Sequence, residues 1–162
     1  MLQDRKLVQA IQYLMQKFKL PTKKPKKKKA YVPILVHENK DTDEQDAIVK
    51  TDAKEALVLH LFYNKDAFNI GIVSGDATEI ETQGDTVLHC LLVFIGSFHV
   101  FDVGYNAGGA EAFLGFLQHT LLNKPFTLEG NMFGKLYTET IEEFDKEYKE
   151  ILADKKAKKY AC

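Results

Sequence analysis

Cysteine is scarce: Cys90 and Cys162 are the two in 162 residues, one inside the most apolar run and one at the last position. A pair so placed makes no disulfide framework and fits a reducing compartment. Arginine is scarcer. Arg5 stands beside twenty-one lysines, whereas base-edge readout and bidentate phosphate binding favour the planar arginine fork. Sequence-specific nucleic-acid recognition is therefore disfavoured, and weak electrostatic contact is the most this lysine excess suggests. The first residues also lack an unbroken apolar stretch, because Gln9, Gln12 and Gln16 interrupt it. No signal peptide is read there, and nucleus or cytoplasm is the expected location. The longest apolar segment, Val87–Val103, contains His89, His99 and Asp102 and has no basic anchors at its flanks. A buried central helix is expected of it, with a membrane span as the competing reading.

Motifs that carry chemistry are missing as well. The histidines stand at positions 37, 60, 89, 99 and 119, and none has a second histidine at the spacing that places two ligands on one helix face. There is no Cys-x-x-Cys, no His-Glu-x-x-His, no Gly-x-Ser-x-Gly and no glycine loop ending in lysine. Each of these supplies a geometry that metal binding, nucleophilic attack or phosphate binding requires. Gly108-Gly109 lacks the strand and lysine of a phosphate cradle. His99 and Asp102, three apart on the expected helix, read as a hydrogen-bonded core pair, and Cys90 as a small buried hydrophobe; a degenerate or unrecognised enzyme would have to use those three. No catalytic residue, metal, cofactor or small-molecule substrate is expected, and the chain reads as non-enzymatic.

What is present is charge, unevenly spread. Residues 1–29 carry nine lysines and Arg5 against Asp4, net +9, and residues 30–162 carry net −10. A near-neutral total thus joins a basic arm to an acidic body. Leu7, Val8, Ile11, Leu14, Met15 and Phe18 recur at steps of three and four, predicting an amphipathic helix over 3–18. That face either docks on the body or a sister chain, or is presented to a partner's groove. Residues 19–30 follow as a lysine-rich linker, extended because like charges repel and proline blocks helix. Within it, Lys23, Lys24, Lys26, Lys27, Lys28 and Lys29 form a cluster of the nuclear-import kind, or a plain tether, or a weak nucleic-acid contact.

Residues 31–162 read as one α+β domain: a small antiparallel sheet over about 31–82, covered by helices near 86–103, 109–123 and 138–157. Residues 38–46 are expected as an acidic loop and 47–50 as a short strand. Residues 56–73 are expected as a hairpin turning at Asn64-Lys65-Asp66. Thr140-Ile-Glu-Glu143 has the form of a capping box for the last helix, whose apolar stripe is Ile141, Phe144, Tyr148, Ile151 and Leu152. Three units follow: the helix 1–18, the linker 19–30 and the domain 31–162.

The order Pro33–Val36, then Phe68–Asp76, then Leu91–Asp102 with Tyr105, then Ala112–Gln118 resembles the C-terminal region of uncharacterised animal multi-domain proteins of mobile-element origin, some with a sterile alpha motif. Their pattern is two short strands, a turn, a leucine-rich helix ending Phe-Val-Phe-Asn-x-x-Tyr-Pro, and a helix with Phe-Leu/Ile-Gln. This chain has Asp102 in place of the asparagine, Asn106 in place of the proline, and two glycines afterwards. The resemblance implies no established activity and carries over no catalytic residue. The functional expectation is a protein-interaction module with a protein partner or self-association, and no membrane.

Overall fold

A computed structural model of the chain describes residues 2–24, 26, 31–52, 56–75, 78–82, 86–106, 108–128 and 132–161. Its elements are α1 (Leu2–Lys17), β1 (Ile34–Glu38), α2 (Thr42–Asp52), β2 (Val58–Asn64), β3 (Ala67–Gly75), β4 (Thr78–Thr82), α3 (Val87–Val100), α4 (Gly109–Leu121) and α5 (Met132–Tyr160). The fold is α+β, with a four-stranded sheet in the order β1-β2-β3-β4.

The sheet is mixed, which corrects the antiparallel expectation at one edge. β1 pairs with β2 in parallel, Ile34 beside Leu59 and Glu38 beside Tyr63. A parallel neighbour cannot be reached by a tight turn and needs a crossover. That crossover is α2, lying where a loop and a short strand are expected from sequence. Its start is built by Asp41 and Glu44: the Glu44 amide donates to Asp41 Oδ1 at 2.9 Å, and the Asp41 amide donates to Glu44 Oε2 at 3.0 Å. This is a reciprocal capping box with aspartate in the serine position. The β2–β3 hairpin turns as expected, with Lys65 and Asp66 both at positive φ (48° and 66°), the backbone of a two-residue turn that matches strand twist.

Each face of the sheet is covered. Val49 of α2 packs with Phe62 and Ile72 on one side. On the other, Leu59, Leu61, Tyr63 and Val73 meet α3 residues Cys90, Leu91, Phe94 and Ile95 in the main core. α1, read from sequence as a separate helix whose apolar face either docks on the body or a sister chain or is presented to a partner, docks on the body and belongs to this core. Val8, Ile11, Met15 and Phe18 are buried, and Leu7 and Leu14 are partly buried against them. Six apolar side chains on one face gain more by desolvation than a free helix of this length retains in water.

Polar groups fix the same docking. Asp4 Oδ1 accepts from the Val87 amide at 2.9 Å, satisfying an otherwise unpaired donor at the start of α3. Arg5 forks onto Glu38 at 2.9 and 3.4 Å, reaches Asp66 at 3.0 Å, and lies 4.2 Å from the Tyr63 ring centre. The chain's one arginine thus joins α1 to β1 and the hairpin turn.

α3 ends at Val100 and Asp102 has φ 52°, so the expected extension to 103 is cut short by a left-handed residue. α4 follows, and its approach to the end of α1 explains Gly109, where a Cβ would run into the Phe18 carbonyl oxygen. α5 begins at Met132, earlier than 138. Thr140 therefore lies inside the helix, its hydroxyl donating to the Leu136 carbonyl at 2.7 Å instead of capping.

Candidate functional site

The sequence-predicted residues go to different places. Leu7, Val8, Ile11, Leu14, Met15 and Phe18 face the chain's own core, so that face is occupied. Lys23, Lys24 and Lys26 are exposed, while Lys27, Lys28 and Lys29 lie outside the described residues. Cys90 is fully buried in apolar packing. His99 and Asp102 are exposed, and they are joined through backbone, the Asp102 amide donating to the His99 carbonyl at 3.4 Å. The three residues an enzyme reading would use are not gathered at one place.

A hydrogen-bonded chain that sequence spacing does not reveal runs across the sheet. His37 Nε2 is 3.0 Å from His60 Nδ1, and His60 Nε2 is 3.1 Å from Ser74 Oγ. The two imidazoles are tilted by only 19° with centres 5.3 Å apart. That separation is the N···N distance plus one ring radius at either end, so they meet edge to edge. Strand register places them: Leu35 is beside His60 and His37 beside Phe62, while His60 faces Ile72 across the hairpin. Burial pushes the His37 imidazole down to about 4, with Lys40 adding to it. Burial likewise pushes His60 down to about 3, helped by His37 and Lys24. Both rings are neutral at pH 7, and the chain closes in either tautomer, the hydrogens running from His37 toward Ser74 or from the Ser74 hydroxyl back toward His37.

Serine, histidine, histidine is the order of a nucleophile, a base and an orienting group. Access decides against that use. Ser74 and His60 are fully buried, and the open end of the chain is His37. His37 lines a groove of about 510 Å³ with Leu35, Val36, Ala47, Ile48 and Thr22–Lys24. A substrate there would meet an imidazole edge with the hydroxyl two bonds behind it. The arrangement satisfies buried polar atoms. Among the described residues, no three His, Cys, Asp or Glu side chains gather as metal ligands, and no helix is long and apolar enough to cross a membrane.

Among the described residues, an uncovered apolar stripe runs along the outer part of α5. Its first part packs on the body: Gly134, Tyr137 and Thr140 are buried, and Leu136 and Ile141 reach the core. Lys17 and Glu143 pair at 3.0 Å, and Phe116 meets Phe144 edge-on at 5.6 Å. Beyond that point the body ends. Every position from 146 to 161 is exposed, about 22 Å of helix at 1.5 Å per residue. Along it Phe144, Tyr148, Ile151 and Leu152 remain 38%, 52%, 53% and 40% exposed. A second ridge lies on α3 and just beyond it, where Leu88, Leu92, Val100, Phe101 and Val103 stand out, with Gly96 leaving space between Leu92 and Val100.

Comparison of the chain with family models, with curated proteins and with solved structures finds no match in any of the three.

Proposed function

We propose that this chain is a non-enzymatic protein-interaction module of the nucleus or cytoplasm whose contact surface is the outer half of α5. The observation that carries the reading is the apolar stripe Phe144, Tyr148, Ile151 and Leu152, carried on a helix whose root is anchored in the body. Exposed apolar residues scattered singly are ordinary, but a run at helical spacing on a projecting helix is the form that packs into another surface. The scattering of Cys90, His99 and Asp102 and the closed position of Ser74 support the non-enzymatic side of the proposal. The resemblance to a segment of larger multi-domain proteins is compatible with a module that works through contacts.

The basic arm is proposed as an import-like signal that sets location, separate from the contact surface. Nucleic-acid contact is the weaker reading, because Arg5 is engaged with Glu38 and Asp66 on the surface of the body. Proximity labelling in cells, comparing the intact chain with the double variant Tyr148→Glu and Ile151→Glu, tests the main reading. The stripe variant is expected to lose most labelled partners while keeping its fold and its distribution. An unchanged set of partners would overturn the assignment to α5.

A further inference from the structure

We infer that α5 from about residue 139 outward pairs along its solvent-facing side with the same segment of a second copy, antiparallel. This rests on the reading of α5 as the contact surface and goes further by naming the occupant. Two observations select it. The first is charge. Residues 139–147 contain five acids and one lysine, net −4, and residues 148–160 contain five lysines and two acids, net +3. An antiparallel partner lays each basic end beside the other's acidic segment. A parallel partner lays like beside like, which destabilises adjacent helices.

The second is what continues the stripe. The steps of three and four that run through Ile141, Phe144, Tyr148 and Ile151 next reach Lys155 and Lys158. In a parallel pair these lysines face their own copies in the seam. In an antiparallel pair with its two-fold axis between Tyr148 and Ile151, Lys155 lies over the partner's Phe144, its stem on the ring and its ammonium among acids. A single helix pair of this length is a short seam for a stable dimer, so association is expected to depend on concentration.

The test is sedimentation velocity of the full chain over a concentration series. Two charge-reversed forms are compared with the unaltered chain. One carries Lys155→Glu, Lys156→Glu, Lys158→Glu and Lys159→Glu. The other carries Glu139→Lys, Glu142→Lys and Glu147→Lys; Glu143 and Asp145, which lie near Lys17 and His119, are left alone. Antiparallel pairing predicts that the unaltered chain dimerises, that each reversed form alone associates about tenfold more weakly or less, and that an equimolar mixture of the two regains dimer. Circular dichroism checks that the helix persists, and replacing the four lysines by glutamine serves if glutamates fray its end. Dimerisation of either reversed form as strong as that of the unaltered chain would overturn the antiparallel pair. A strictly monomeric unaltered chain would remove self-association altogether; stripe-dependent labelling in cells would then leave the interaction module standing with a different partner.

Discussion

The apolar stripe of α1 places Met15 and Phe18 at zero exposure, while that of α5 leaves Tyr148 and Ile151 half open. In sequence the two stripes are alike, apolar residues at steps of three and four with charges between. Their difference lies in what the rest of the fold places opposite them. α1 meets α3 and α4 and is tied down by Asp4 on the Val87 amide and Arg5 on Glu38. α5 is tied down as far as Asp145, near His119, and then runs past the body. Amphipathicity reports that a face seeks a partner, and the tertiary fold decides whether that partner is within the chain.

The comparison is sharpened most by truncating one residue from each stripe. Phe18→Ala is expected to cost about 3–5 kcal/mol, from lost burial and the cavity left behind. Ile151→Ala is expected to stay within about 0.5 kcal/mol of the unaltered chain. Urea unfolding of the two variants reads both numbers, and equal losses would erase the contrast.

Next in size is an acid dependence that belongs to the covered part alone. His60 has its folded pKa held below the unfolded value, so the unfolded chain binds the extra proton. Its stability contribution is complete above about pH 6.5 and is lost as pH falls toward the folded value, with a slope of up to about 1.4 kcal/mol per pH unit. Between pH 7 and pH 5 this amounts to about 2 kcal/mol. His60→Gln should flatten the fall measured by urea midpoints at the two pH values; an identical fall in both proteins would show that the buried pair does not titrate on unfolding.

A smaller effect is expected at the clamp that fixes α1. Arg5→Lys keeps the charge and loses the fork, and a loss of about 1 kcal/mol is expected because Glu38 and Asp66 are largely exposed. No measurable loss would mean that apolar packing alone seats the helix. The smallest stability effect belongs to the arm. Replacing Lys26–Lys29 with alanine should leave the melting temperature nearly unchanged and shift a fluorescent fusion toward the cytoplasm. An unshifted fusion would reduce the cluster to a tether, and a large drop in melting temperature would mean that the arm docks on the acidic body.

Much of this architecture is legible in the residues. The stripes of α1 and α5 mark helices, the Asn64-Lys65-Asp66 reversal marks the hairpin, and the interrupted apolar run marks α3. α2 is hidden because its start is an aspartate box, Asp41 with Glu44, in a segment whose acids suggest a loop. The parallel edge is hidden because strand order depends on where α2 returns the chain. The His37–His60–Ser74 chain is hidden for a related reason: each residue sits in its own strand, and register between strands is not written in any one of them. The openness of the α5 stripe is beyond pattern altogether, since the pattern is the one that α1 uses to dock.

α5 is one helix with two environments, a root covered by the chain and an outer half that only another molecule covers. Amide hydrogen exchange of the intact protein, followed along α5 over a range of concentrations, measures this directly. Residues 134–141 should be strongly protected at every concentration, and residues 146–160 should exchange fast in dilute solution and gain protection as concentration rises. Equal, concentration-independent protection along the whole helix would mean that the body already covers the outer half, and the two environments would not exist.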